Sequence, residues 1–318
     1  MSPNRLAKKR IENLIGDDST RVEQHSIAGT NIFDFGIHTA GSMRSGIALA
    51  EACMGGLADV SILPCDPARL GVENVVSVAT DAPLMSCLGC QYAGWPVQTE
   101  DFFAMGSGPM RLLRGREAML LELTLNDSKA DGCFGVLESD KLPTESALQA
   151  IAKECGVEPA ALTLAVAPST SIAGSIQIVA RSIETAMHKL HELKFDVRCI
   201  TSGIGSAPLP PPARAGKSIE GIGRTNDAML YGATVTLWVD CDDEQAAAVI
   251  EQTPSCASKD YGRPFVQVFA DYEYDFYKVD PALFSPARVT MHNLRTGNTF
   301  TAGELSRDIL VESFGLGL

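Results

Sequence analysis

Helical and strand-like spacings of apolar residues alternate along most of the chain. Residues 4–15 carry apolar side chains at helical intervals, which predicts an N-terminal helix. The runs 21–27 and 31–37 are short and compatible with β structure, and Ala28-Gly29-Thr30 between them favours a tight connection. The pattern therefore predicts that the chain begins with a helix and a hairpin.

The same alternation continues to the C-terminus. Ser42 is placed to cap a helix that Gly55-Gly56 ends. The later segments are predicted as strands at 57–63, 74–79, 162–167, 194–200 and 233–240, helices at 143–155, 223–232, 242–252 and 305–314, and a hairpin at 289–293 and 298–301. We predict an α/β fold with α+β character, in which two mixed α/β domains, 1–160 and 161–318, enclose a cleft and can be intertwined or discontinuous.

Two stretches depart from regular periodicity. Residues 89–110 are rich in glycine and aromatic side chains and are predicted to form little regular structure. Glycines let a backbone approach a ligand and aromatic rings offer flat walls, so a planar heterocycle would fit here, with core packing as the alternative for Trp95. Four prolines within 207–217 favour an extended connection.

The segment 168–193 carries the strongest candidate chemistry. It follows an apolar strand, with turn and cap residues at 168–171 and Gly174 allowing close approach where a single helix begins. A spacing of three residues places Arg181 beside Glu184, so the guanidinium would orient the carboxylate and keep it ionised. Such a carboxylate can act as a general base. The alternative is a surface ion pair that contributes about 0.2–0.5 kcal/mol.

The densest cationic cluster consists of Arg111, Arg114 and Arg116. It directly follows the Gly-Ser-Gly-Pro sequence at 106–109, whose backbone can offer amide donors near the start of a helix. One interpretation is a site for the anionic tail of a ligand. The other is the basic face of a short helix.

Two further patterns imitate metal or redox sites. The nine cysteines are odd in number and scattered, which fits a reducing compartment, and Cys87 and Cys90 lack the second ligand pair that a zinc site needs. We interpret them as structural. His188 and His191 would share a helix face with Glu184, but towards the end of a helix they also suit the terminal carbonyls and the dipole.

Charge and composition exclude several classes of partner. A net charge of −13 argues against nucleic acid or an anionic membrane, because both require a broad basic surface. Apolar residues make up 45% and charged residues 20%, as in ordinary globular proteins. No apolar run reaches the ~18 residues that would cross a bilayer, and the N-terminus has no apolar signal core. We therefore predict a cytoplasmic protein.

Five long segments, in this order, together resemble the methenyltetrahydromethanopterin cyclohydrolase family. They are HTAGSMRSGIALAEACMGG (38–56), CLGCQYAGWPV (87–97), FFAMGSGPMR (102–111), PSTSIAGSIQIVARSIETAMHKLHEL (168–193) and GRTNDAMLYGATV (223–235). Because they are spread over most of the chain, the resemblance is more specific than any single motif.

The resemblance implies hydrolysis of the cyclic methenyl cation of a methanopterin-type carrier to the 5-formyl compound. The reaction is reversible and belongs to the one-carbon metabolism of methanogens or methylotrophs. It further implies that Arg181 and Glu184 are the catalytic pair, that no metal, redox disulfide or permanently bound cofactor takes part, and that the enzyme is a homotrimer. The residues expected to bind the pterin substrate are Gln91, Tyr92, Gly94, Trp95, Gly106, Ser107, Gly108, Arg111, Ser171 and Gln177.

Two other classes of function remain open at this point. A non-catalytic pterin carrier would keep the glycine- and aromatic-rich segment but would have no use for Glu184. A pterin-dependent or nucleotide-binding oxidoreductase is the second alternative, although no G-x-G-x-x-G sequence follows a predicted strand.

Overall fold

The computed structural model describes residues 1–276 and 278–316, and the strands in this part of the chain form two six-stranded sheets. The strands are β1 (Glu23–Ile27), β2 (Thr30–Asp34), β3 (Asp59–Pro64), β4 (Asn74–Thr80), β5 (Trp95–Gln98), β6 (Phe103–Ser107), β7 (Cys133–Glu138), β8 (Leu162–Ala167), β9 (Ile200–Pro208), β10 (Thr234–Val239), β11 (Arg288–Asn293) and β12 (Thr299–Gly303). Both sheets mix parallel and antiparallel pairs, and helices accompany them. The predicted α/β fold class is confirmed.

Helices of several kinds connect the strands. The α-helices are α1 (Pro3–Glu12), α2 (Met43–Cys53), α3 (Pro67–Leu70), α4 (Met110–Arg114), α5 (Ala118–Glu122), α6 (Glu145–Cys155), α7 (Ile172–Val179), α8 (Ser182–Glu192), α9 (Ser218–Gly232), α10 (Asp243–Ile250), α11 (Phe265–Asp271) and α12 (Arg307–Phe314). A π-helix spans Leu84–Gln91, and short 3-10 helices span Asp18–Thr20, Pro159–Ala161, Val197–Cys199, Ser255–Ala257 and Pro281–Leu283. Among the described helices, none has both the length and the apolar character needed to span a bilayer.

The first sheet has the strand order β1-β2-β8-β7-β6-β5. β8 lies at its centre, parallel to β2 and β7, and every residue of β8 is buried. Leu164 packs into one hydrophobic core with α6, and the next residue, Ala165, packs into a second core with α1 and α2. Both faces of the sheet are therefore covered, which explains why the LTLAVA sequence is apolar throughout.

The second sheet has the strand order β12-β11-β10-β9-β4-β3. β10 and β11 are parallel, whereas β9 pairs antiparallel with both β10 and β4. Burial alternates along β10, as expected for a sheet with one covered face. The helix α8 packs against β9 and β10. This contact places the candidate catalytic residues on the covered face.

The chain divides into two compact units, each assembled from three segments. Unit 1 comprises Met1–Asp59, Met85–Ile178 and Arg214–Ser218, and unit 2 comprises Val60–Leu84, Val179–Ala213 and Ile219–Leu318. Part of the predicted N-terminal domain, residues 60–84, thus belongs to unit 2. Residues 161–178 and 214–218 of the predicted C-terminal domain belong to unit 1.

Outside the segment 168–193, two local predictions were wrong. Residues 89–110 are not irregular, because Trp95 and Val97 alternate inwards along β5 and pair with β6 in an antiparallel hairpin. The strand predicted at 194–200 begins only at Ile200. Lys194 adopts a left-handed conformation (φ 65°) and Asp196 caps a 3-10 helix, so the chain first makes a turn.

Candidate active site

A break between α7 and α8 creates the local geometry of the candidate catalytic pair. The single helix predicted through this region is wrong, since α7 ends at Val179 and α8 begins at Ser182. Arg181 takes the cap position of α8, and its carbonyl accepts a hydrogen bond from the Thr185 amide at 2.9 Å. Residues 179–182 contain neither glycine nor proline, so the sequence gives no signal for this break.

Arg181 and Glu184 are brought together at the start of α8. Nη1 of Arg181 lies 3.9 Å from Oε2 of Glu184, and the two residues are only 8% and 4% exposed. The alternative of a surface ion pair is therefore wrong. Glu184 lies in the first helical turn, where the helix dipole favours a negative charge. The ion pair and the dipole both stabilise the ionised carboxylate.

Two glycines of β9 form the surface beneath the first turn of α8. A Cβ atom on Gly205 would lie 2.4 Å from Oγ of Ser182, and one on Gly203 would lie 3.1 Å from Cγ2 of Ile183. At Gly205 the backbones of β9 and α8 approach too closely for a side chain, whereas at Gly203 the contact is only tight.

The turn that precedes α7 has the predicted chemistry. Oγ of Ser171 accepts a hydrogen bond from the Gly174 amide at 2.9 Å and caps the helix. A Cβ atom on Gly174 would lie 2.0 Å from the carbonyl oxygen of Pro168, so this tight turn requires glycine. Gln177 is buried further along α7.

Most of the predicted pterin-binding residues cluster around the π-helix in unit 1. Gln91 is the last residue of that helix and is buried, whereas Tyr92 and Gly94 after it are half-buried. The Gly108 amide donates to the Cys90 carbonyl at 2.8 Å, and Gly106 pairs with Trp95 across the hairpin. The structure thus brings the residues from 91 to 111 together locally.

Arg111 stabilises the end of the π-helix. Its guanidinium is fully buried, and Nη1 donates to the carbonyls of Leu88, Gly89 and Cys90 at 3.0, 3.2 and 3.4 Å. Nε donates to Oε1 of Glu117 at 2.8 Å, and Nη2 contacts the other oxygen of the same carboxylate. These contacts occupy all three guanidinium nitrogens. A contact between Arg111 and substrate stays a prediction.

Trp95 and Ser107 also have protein partners. Trp95 is 4% exposed within the core of unit 1, and the guanidinium of Arg114 lies over its ring at 4.4 Å. Arg114 is itself paired with Glu154. Oγ of Ser107 lies 3.3 Å from the thiol of Cys53. Trp95 therefore packs in the core, as the alternative interpretation expected. Its contact with substrate stays a prediction.

The cysteine and histidine patterns have structural surroundings. Cys87 and Cys90 are reduced thiols buried in the π-helix, and burial raises the pKa of Cys90 well above its usual range. Among the described residues, three potential metal ligands converge within 4.8 Å only at Glu23, His25 and Asp34. The Asp34 carboxylate there already accepts three backbone amides, at 2.7–2.8 Å. Glu184, His188 and His191 form no such group.

Sequence reasoning missed several residues that shape these sites. The Arg111–Glu117 pair, Gly205 with Ser182, and the buried Asp227 are examples. A glycine inside a strand was the one available signal, since such a glycine often marks close approach of another backbone.

Comparison with known proteins identifies the class. A family model described as cyclohydrolase (MCH) matches residues 2–314. The chain is 56% identical over 293 residues to methenyltetrahydromethanopterin cyclohydrolase of Rhodopirellula baltica, covering 92% of this chain and 88% of the relative. Enzymes of the same name from Methylobacillus flagellatus and Methanococcoides burtonii are 45% and 39% identical, covering 99% and 96% of this chain and 95% of each relative.

The α/β fold and these matches define an enzyme of the cyclohydrolase class. The chain belongs to the cyclohydrolase (MCH) family, and the resemblance seen in the sequence is confirmed.

Proposed function

We propose that this chain hydrolyses the cyclic methenyl group of methenyltetrahydromethanopterin to 5-formyltetrahydromethanopterin, reversibly, in one-carbon metabolism. The names of its relatives support the substrate and the reaction. The observation that carries the proposal is the buried Arg181–Glu184 pair at the start of α8. A carboxylate oriented by a neighbouring cation can serve as the general base for an attack by water.

The reaction needs proton transfer and stabilisation of charge. The methenyl carbon lies between two nitrogens and shares their positive charge, so a water oxygen attacks it and forms a C–O bond while losing a proton. In the resulting tetrahedral intermediate the hydroxyl loses its proton, the bond from carbon to the second nitrogen breaks, and that nitrogen takes up a proton. The products are the formyl compound, which no longer carries the positive charge of the methenyl group, and one released proton.

Glu184 is the general base in this proposal. Its carboxylate takes the proton from the attacking water, a contribution of roughly 10²–10⁴-fold in rate for a positioned base. Its negative charge also stabilises the bound cation. Burial at 4% exposure limits competing hydration of the carboxylate.

Arg181 orients the carboxylate of Glu184 and balances its negative charge. Its guanidinium lies at ion-pair distance from Glu184, and a neighbouring cation favours the charged form of a carboxylate. As the ring opens, the same group can stabilise the oxygen of the tetrahedral intermediate.

Pterin binding is assigned to the segment around the π-helix and to α7. The half-buried Tyr92 and Gly94 offer a flat wall and an approachable backbone, and Gln91 and Gln177 supply amides suited to the edge of a pterin. Ser171 adds a hydroxyl at the start of α7.

Further features of the proposal rest on the family resemblance. They are the absence of a resident cofactor or metal, action in the cytoplasm, and assembly as a homotrimer. Light scattering at several protein concentrations tests the assembly, and a monomer at every concentration would contradict it.

An absorbance assay on purified protein tests the reaction. Loss of the methenyl absorption band in buffer alone, with unchanged rate after addition of a chelator, is the expected result. A pterin carrier would bind the compound without changing its rate of hydrolysis. An oxidoreductase would act only when a redox partner is added. Either outcome would contradict the cyclohydrolase assignment.

A further inference from the structure

Gly205 lies in a strand position where glycine is otherwise unfavourable. It pairs with Val235 on β10 and Val78 on β4 in the middle of the second sheet. Its backbone does not adopt a left-handed conformation. Since glycine weakens the interior of a strand, its presence here needs another reason.

The reason is the room required by the first turn of α8. A Cβ atom on Gly205 would lie 2.4 Å from Oγ and 3.1 Å from Cβ of Ser182, and 3.1 Å from Cγ1 of Ile183. The 2.4 Å distance is far inside van der Waals contact. Ser182 is completely buried, so packed neighbours oppose rotation of its hydroxyl, and its Cβ atom can move only with the helix backbone.

We propose that Gly205 is a positioning residue for the hydrolysis, because it lets the first turn of α8 rest directly on β9 and so fixes where Arg181 and Glu184 point. The inference rests on the proposed function. A side chain at this position pushes the first turn away from the sheet. Displacements of about 1 Å at a reacting geometry can cost about 10²-fold in rate.

Gly203 provides a matched control on the same strand and face. A Cβ atom there would lie 3.1 Å from Cγ2 of Ile183 and 3.2 Å from Cδ2 of Leu237, both of them side-chain methyl groups. Each of these methyl groups needs to give by only a few tenths of an ångström, whereas the 2.4 Å approach at Gly205 is closer than any ordinary Cβ contact. Gly203→Ala and Gly205→Ala make the same chemical change, but only the second meets Ser182.

Ser182→Gly provides the rescue. This change removes both atoms of Ser182 that the new Cβ atom would meet. Among the described residues, none forms a hydrogen bond with Oγ of Ser182, so its loss breaks no bond. The double variant Gly205→Ala with Ser182→Gly therefore restores the space beneath α8.

The test measures kcat, KM and the pH profile of methenyl hydrolysis for these variants, with thermal unfolding as a check on folding. We expect Gly205→Ala to lower kcat at least tenfold with little change in KM and to shift the acid limb of the profile. We expect Gly203→Ala to change kcat less than threefold. Adding Ser182→Gly to Gly205→Ala should recover most of the lost kcat relative to Ser182→Gly alone.

Several results would overturn the inference. Gly205→Ala with wild-type kcat and pH profile would do so while leaving the proposed function intact, as would a double variant that folds but stays as slow as Gly205→Ala. If Gly205→Ala does not fold, the double variant provides the test. The inference then requires that the double variant folds and hydrolyses the methenyl compound. A folded wild-type protein without hydrolysis would overturn the proposed function, and the inference with it.

Discussion

At the scale of single residues, Arg181 and Glu184 differ from an ordinary helical ion pair in burial. Exposed pairs at this spacing contribute a few tenths of a kcal/mol and are screened by salt. Here both side chains are almost completely enclosed, so each charge depends on its partner. Removing either partner should therefore have a larger effect than removing one partner of an exposed pair.

Arg181→Ala should lower kcat at least tenfold, because the carboxylate of Glu184 loses its orienting charge. It should also move the acid limb of the kcat/KM profile to higher pH, since loss of a neighbouring cation makes protonation easier. Rates measured from pH 4 to 9 check both effects. Arg198→Ala is the control, because Arg198 is half-exposed and pairs with Asp196 at 3.5 Å. An unshifted limb for Arg181→Ala would contradict the orienting role.

Residue spacing predicted the candidate catalytic pair but not its surroundings. Spacing alone placed Arg181 beside Glu184, because three residues separate neighbours on a helix. The burial of the two side chains could not be predicted from their spacing. It results from the contact of α8 with β9 and β10, which lie elsewhere in the sequence.

At the scale of elements, the π-helix Leu84–Gln91 depends on one arginine from outside it. Arg111 donates hydrogen bonds to three carbonyls at the end of this helix and forms an ion pair with Glu117. No pattern within residues 84–91 reveals this, because the stabilising group lies about twenty residues further along the chain. By contrast, β8 and the hairpin of β1 and β2 were predictable from local apolar runs and turn residues.

Arg111→Met should lower the free energy of unfolding by about 3–5 kcal/mol, the range found when one partner of a buried ion pair is removed. Urea unfolding followed by circular dichroism measures the change. Adding Glu117→Gln should recover part of the loss, because the orphaned charge disappears. Arg116→Met, which removes an exposed partner of Glu154, should cost less than about 1 kcal/mol. Equal losses for the two arginines would contradict the scaffold role of Arg111.

At the scale of the whole molecule, the buried Asp227 links three helices of unit 2. It lies on α9 and accepts hydrogen bonds from the Phe265 amide at 2.8 Å and from the Ser313 hydroxyl on α12 at 2.5 Å. Burial raises the pKa of Asp227 to about 7 from its ordinary value of 3.8, and Glu312 adds to this effect, whereas the two hydrogen bonds oppose it.

The sign of this shift predicts how stability depends on pH. The folded state binds the Asp227 proton more tightly than the unfolded state, so this stabilisation is complete below pH 3.8 and is lost as the pH rises through about 7. Asp227→Asn stays neutral and should flatten the decline between pH 5 and 8. The midpoints of urea unfolding at pH 5 and pH 8, for the wild type and the variant, measure this decline in stability. An equally steep decline in the variant would contradict the assignment to Asp227.

The division into two units shows where sequence reasoning stops at this scale. Each unit draws on three separate segments, and one crossing between them falls in the last turn of α7, between Ile178 and Val179. Local patterns report neighbours in sequence, whereas membership of a unit depends on contacts between distant segments. The alternation of helices and strands therefore predicted the fold class but not which segments belong together.

The most direct test of the account is the turnover of methenyltetrahydromethanopterin by Glu184→Gln, measured beside the wild type and His188→Ala, with and without a chelator. Glutamine keeps the size of the side chain but removes the base and the negative charge. We expect kcat to fall by at least ~10²-fold with substrate binding largely retained, and we expect His188→Ala and the chelator to leave turnover close to wild type. Near-wild-type turnover by Glu184→Gln, together with loss of activity on chelation or in His188→Ala, would contradict the acid–base mechanism.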